Sequence, residues 1–215
     1  MAEKPIDYRT EPLVRYLDDA AAARPTPGGG SVAAMAGALA STMASMAAGF
    51  TAGREKFKDV EPEIQEALRR LADARGGLLD LAHEDMAVYE RIMAAWRLPK
   101  QTDADKAARA EAVRKATKES LGSIERVLGA CRDVLRLGHR LARIANPNLV
   151  SDVGVSAELA LGAARAARIN AEVNLAGYAD KTDAEAVRTR VESALAEAER
   201  LTDETRQAVL LKLRG

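Results

Sequence analysis

The chain has a single cysteine, Cys131, so no disulfide can form within it, and a reducing compartment, the cytoplasm, is its expected home. Two histidines and that one cysteine, far apart, do not make a zinc set, and no metal is expected. Neither sign of charge is in excess: Lys plus Arg and Asp plus Glu both count 32. That balance argues against a nucleic-acid partner, which calls for surplus basic charge. Aromatic residues make up only 3%, while alanine is abundant, a mixture that favours closely packed helices over a bulky-cored sheet. No apolar run follows the charged residues of Met1 to Arg9, so no signal peptide is expected there.

What is present is helical patterning. The 215 residues suit one domain, 1–215, with a core of its own, and no stretch shows the alternation of a half-buried strand. Thr10-Glu11-Pro12 opens a first helix to about Ala23. The breaker Pro25-Thr26-Pro27-Gly28-Gly29-Gly30 precedes a second, from Ser31 to about Gly53. Glu61-Pro62 starts a third that runs to about Trp96, and Thr102-Asp103 a fourth that reaches about Ala145. Ser151 caps a fifth to about Ala179. Thr182 and Glu185 read as a capping box for the last, whose charges, such as Glu197 with Arg200, form a solvated face. The fold expected is all-α.

From Pro25 to Gly53 there is no charged residue. Length alone would permit a membrane span. Composition argues against it, because alanine, glycine and serine contribute little to insertion compared with leucine. A helix apolar all round also suits the centre of a bundle. Ala33, Gly37, Ser41, Ser45 and Gly49 form one ridge of small side chains, and Ala36, Ala40, Ala44, Ala48 and Ala52 a second. Such ridges let helix axes approach closely, so this helix is expected to be the central packing element or a subunit contact.

Three segments could carry chemistry. Three consecutive glycines, Gly28, Gly29 and Gly30, suit unusual dihedrals or close approach of a ligand to the main chain, and free amides at a helix start attract anions. A plain turn capped by Ser31 explains them equally well. Asp85 shares a face with Ala82, Tyr89 and Met93. On its own it reads first as a surface or ion-paired acid, and otherwise as a functional carboxylate whose pKa burial would raise. In the third segment, Ser151 and Asp152 begin a helix on which Asn170 and Asn174 lie one turn apart among apolar residues. Buried amides need partners or a polar ligand.

Together these segments resemble the formiminotetrahydrofolate cyclodeaminases and methenyltetrahydrofolate cyclohydrolases. The likeness runs through Pro25 to Ala34, Asp85-Met86-Ala87-Val88-Tyr89, Arg97-Leu98-Pro99-Lys100, Ser151-Asp152-Val153-Gly154-Val155 and the Asn170 and Asn174 helix. It implies an up-and-down bundle of about six helices that dimerises and works without metal or redox cofactor. It implies a folate substrate and, for a stand-alone chain, conversion of 5,10-methenyltetrahydrofolate and water to 10-formyltetrahydrofolate. The alternatives are cyclodeaminase activity, with loss of ammonia from 5-formiminotetrahydrofolate, and a helical binding or scaffolding module without activity. In this reading Asp152 transfers protons and Asp85 balances the substrate's charge. Gly28, Gly29, Gly30, Ser31, Tyr89, Lys100, Ser151 and Asn174 bind the folate, with Lys100 on its anionic tail.

Overall fold

A computed structural model describes residues 6–214 of the chain. Six α-helices follow one another: α1 (Leu13–Ala21), α2 (Gly29–Gly49), α3 (Glu61–Trp96), α4 (Asp103–Ile144), α5 (Val150–Ala176) and α6 (Lys181–Arg214). Short 3-10 turns at Glu55–Val60 and Pro147–Leu149 precede α3 and α5, and there is no strand among the described residues. The all-α bundle expected from the pattern is the one observed.

Helix ends follow local chemistry where that chemistry is sufficient. Pro62 sits in the first turn of α3, where its missing N–H costs nothing. Thr102 caps α4 by accepting from the Asp105 amide at 3.0 Å, and Asp105 accepts from the Thr102 amide at 3.0 Å, a complete capping box. At α6 the expected box is not formed. Asp180 accepts from the Asp183 amide at 2.9 Å, and Glu185 instead turns to Arg188. Ser151 lies inside α5, because the Pro147–Leu149 turn already starts the helical path.

α2 is the central element. It runs antiparallel to α3 on one side: Ser31 meets Asp85, Gly37 meets Leu78, and Ser41 Oγ donates to the Leu71 carbonyl at 2.6 Å. It runs antiparallel to α5 on the other, where Ser156 Oγ donates to the Ala40 carbonyl at 2.7 Å and Asn146 N–H to Thr51 Oγ1 at 2.9 Å. α4 packs behind it, with Cys131 against Gly37, and α6 covers α4 and α5. α2 is long and apolar enough to cross a membrane. Its small-residue ridges are nevertheless packed inside the bundle: Ala33, Gly37, Ala40, Ser41, Ala44 and Ala48 are all buried. A larger side chain at Gly37 would press on Cys131 Sγ, 3.0 Å from an added Cβ, and on Leu78, 3.2 Å away.

The fourth face of α2 is uncovered. Val32 (46% exposed), Leu39 (50%), Met46 (41%) and Phe50 (47%) form an apolar stripe along the helix. Surface ion pairs tie the other helices at their rims, such as Arg140 with Glu63 and Arg206 with Glu158. Glu197 pairs across to Arg132 and Arg136 of α4, whereas Arg200 pairs with Glu204 one turn along α6 itself. Each exposed pair adds little stability.

Candidate active site

The glycine breaker opens a cavity of about 350 Å³ where the start of α2, the middle of α3 and the C-terminal part of α5 converge. Its walls are Pro25, Thr26 and Gly28–Gly30 of the breaker, Asp85 and Tyr89 of α3, Ser120 of α4, and Asn170 and Asn174 of α5, with Ile92, Met93, Ile124 and Val173 supplying apolar surface. Asp85 is the only ionisable carboxylate among these residues, and no Lys, Arg or His joins it.

The geometry explains two of the three glycines. None of them has a positive φ, so left-handed backbone is not the reason for them. A Cβ on Gly30 would fall onto the Asp85 carboxylate, 2.7 Å from its Cγ. A Cβ on Gly29 would press on Asn170 Oδ1 at 3.1 Å, while one on Gly28 would meet only the Pro25 carbonyl at 3.4 Å. The glycines thus let a carboxylate and an amide from two other helices reach the main chain at the helix start.

Asp85 takes over a capping role there. α2 has Gly28 at its N-cap and no side-chain cap of its own. Instead the Ser31 amide donates to Asp85 Oδ2 at 3.0 Å. Ser31 is therefore not the cap expected from its position, nor does it line the cavity. It is fully buried, and its hydroxyl shares a 3.0 Å hydrogen bond with the Tyr16 hydroxyl of α1. Burial drives the Asp85 carboxyl above its ordinary pKa of 3.8, and the Ser31 hydrogen bond opposes that rise without cancelling it. Burial, with the Asp85 charge adding to it, likewise keeps the Tyr16 phenol protonated beyond its usual range.

The two asparagines line the cavity with their amino groups tied back. Asn170 Nδ2 donates to the Ala166 carbonyl at 3.0 Å, and Asn174 Nδ2 donates to the Asn170 carbonyl at 3.0 Å and to Ser120 Oγ at 3.3 Å. With both amino groups tied back, the Oδ1 atoms are left to accept from a ligand's N–H groups. The buried polar face of α4 was missed in the sequence. Thr117, Ser120 and Ser123 on one side of an otherwise apolar helix face were the available signal.

All the residues that line this cavity fall within a stretch that matches a known family. Residues 12–193 match the family model described as formiminotransferase-cyclodeaminase. The chain belongs to that family. The methenyltetrahydrofolate cyclohydrolase of Methylorubrum extorquens is 34% identical over 203 residues, which cover 94% of this chain and 98% of that one. The formimidoyltransferase-cyclodeaminase of Sus scrofa is 27% identical across 87% of this chain, but that stretch is only 35% of the pig protein. The crystal structure of formiminotetrahydrofolate cyclodeaminase from Thermotoga maritima superposes with a TM-score of 0.85 at 28% identity, covering 94% of this chain and 96% of that one.

Against this family background, Gly28, Gly29, Gly30, Asp85, Tyr89 and Asn174 come together as expected, and Asn170 joins them. Asp152 and Ser151 do not. They start α5, whereas Asn170 lies near its end, about 27 Å further along the axis at 1.5 Å per residue. A single chain therefore cannot pair Asp85 with Asp152, and the two-acid arrangement within one chain is corrected. Lys100 also misses the cavity. It follows the end of α3 on an exposed segment, where its backbone amide donates to Gln101 at 3.0 Å. Among the described residues no three His, Cys, Asp or Glu side chains cluster as a metal set.

Proposed function

We propose that the chain is a methenyltetrahydrofolate cyclohydrolase, adding water to 5,10-methenyltetrahydrofolate to give 10-formyltetrahydrofolate and a proton. The observation that carries this reading is a cavity whose sole charge is one carboxylate. The substrate's reacting carbon lies between two nitrogens that share a positive charge. Asp85 offsets that charge and accepts a proton as water adds to the carbon. The Asn170 and Asn174 carbonyls receive the N–H groups of the pterin. The cavity is near the lower end of the range for small-ligand sites, which suits the fused ring head and leaves the rest of a folate outside.

The same cavity supports the reverse sense of chemistry. In the cyclodeaminase reaction N10 attacks the formimino carbon and protonated nitrogen departs as ammonia. The Thermotoga neighbour's activity favours this second reading, and the 98% coverage of the cyclohydrolase relative favours the first. Following methenyl absorbance with each substrate separates them.

The apolar stripe of α2 supports a homodimer. Val32, Leu39, Met46 and Phe50 carry no charge and extend over the length of the helix, so a second copy can cover them by an isologous contact. With the two α2 helices antiparallel, the end of one lies beside the start of the other. α5 begins at the Phe50 end of α2, because Asn146 is bonded to Thr51 there. Asp152 of the partner subunit is then delivered to the Gly29–Gly30 end, where it serves as the second acid that one chain lacks. The reducing interior of the cell, the cytoplasm, remains the compartment that a lone buried Cys131 suits.

A further inference from the structure

The cavity does not end at Tyr89. A second, more open depression of about 630 Å³ continues from it, sharing Pro25, Thr26, Tyr89 and Met93. It follows the last turns of α3 and ends at Arg97. Three charged side chains border it: Glu90, Arg91 and Arg97. Arg91 is already engaged, donating to Glu119 at 2.7 Å and 3.1 Å. Arg97 makes no side-chain hydrogen bond or ion pair among the described residues, and its backbone is held in helical geometry by the Met93 and Ala94 carbonyls. It lies two turns beyond Tyr89, about 12 Å along the axis.

Resting on the folate reading above, we infer that Arg97 is the specificity residue for the anionic end of the substrate. The pterin occupies the inner cavity beside Asp85. The aminobenzoyl ring crosses the strip formed by Tyr89 and Met93, and the glutamate carboxylates reach the Arg97 guanidinium. A guanidinium presents parallel N–H donors to a carboxylate, which a lysine ammonium does not. The inner cavity holds Asp85 and no basic side chain, whereas the outer depression ends at Arg97, so the substrate's positive and negative ends are sorted to opposite ends of one continuous groove. Lys100, three residues later, borders neither depression.

The test compares 5,10-methenyltetrahydrofolate with the same compound carrying both glutamate carboxylates as neutral amides. The unaltered protein is expected to prefer the dicarboxylate, through a KM lower by roughly three- to thirtyfold, as suits a charged hydrogen bond at an exposed site. Arg97→Ala is expected to abolish that preference, Arg97→Lys to restore part of it, and Lys100→Ala to keep it. Circular dichroism melting of each variant checks that the fold is retained. A preference that survives in Arg97→Ala, or one lost in Lys100→Ala, would overturn the assignment while leaving the folate reading intact. A wild-type protein that turns over neither compound would overturn both.

Discussion

The Ser31 amide of α2 donates to Asp85 Oδ2 of α3 at 3.0 Å, across the space that a side chain on Gly30 would fill. This one bond joins the structural and chemical roles of the glycine segment. It caps a helix that has no cap of its own and holds a carboxylate in a partly desolvated cavity. Two effects compete at Asp85, and burial prevails over the helix-start amide, so its proton is held above the ordinary 3.8.

Asp85 should therefore govern the acid limb of the rate profile. Activity is expected to fall as pH drops through an apparent pKa above 3.8, since the carboxylate must be ionised to balance the cation and take a proton. Asp85→Asn should lose roughly a hundredfold or more in kcat and lose that limb. The stability effect has the opposite sign. A carboxyl with a raised folded pKa favours the folded state most below its unfolded pKa, and that advantage disappears as pH rises through the folded value. At neutral pH the Asn variant should melt no lower than the wild type, because its Oδ1 still accepts from Ser31 and no charge is buried. A clear fall in Tm with activity preserved would show Asp85 to be merely structural.

Gly30→Ala should be more damaging to turnover than Gly28→Ala. The first drives a Cβ into the Asp85 carboxylate, whereas the second meets only ordinary contact with the Pro25 carbonyl. Steady-state kinetics of both variants, with melting curves beside them, checks the ordering. Equal activity in the two would mean that Asp85 has room to move without consequence.

Gly37→Leu should overpack the seam of α2 with α3 and α4, at a cost of about 1–3 kcal/mol. The neighbours that must yield are Cys131 and Leu78, both fully buried. Urea unfolding reads the loss directly, and an unchanged midpoint would contradict the close packing of the small-residue ridges.

A mixed-dimer experiment tests the proposed sharing of the site between two copies. Asp85→Asn and Asp152→Asn proteins should each be nearly inactive alone. Unfolded together and refolded at equal amounts, they should recover about a quarter of wild-type activity, since half the dimers are mixed and each of those holds one intact site. Absence of recovery, with light scattering showing the mass of two chains, would remove Asp152 of the partner subunit from the mechanism.

Much of this was legible in the sequence where the cause is local. Pro62 and the Thr102 box mark the starts of α3 and α4, and the ridges of alanine and glycine mark α2 as central. Asp85, Tyr89 and Met93 lie one turn apart, so their shared face follows from helical period alone. What was hidden depends on contacts between helices. The capping of α2 by Asp85 comes from another helix, so Ser31 looked like the cap. Nearness of Asp152 to a recognisable motif could not show which end of α5 meets the glycines. Lys100 and Arg97 belong to one short run, and only the direction in which α3 ends tells which of them borders the groove.

Ring opening of a folate cation at Asp85 is the activity proposed for this cavity. The most direct measurement is the initial rate of methenyl absorbance loss from 5,10-methenyltetrahydrofolate, with wild-type protein, with Asp85→Asn, and with buffer alone. The expected result is a wild-type rate well above the spontaneous one, 10-formyltetrahydrofolate as product, and an Asp85→Asn rate lower by roughly a hundredfold or more. A folded wild-type protein that leaves the spontaneous rate unchanged, or an Asp85→Asn protein as fast as the wild type, would contradict it.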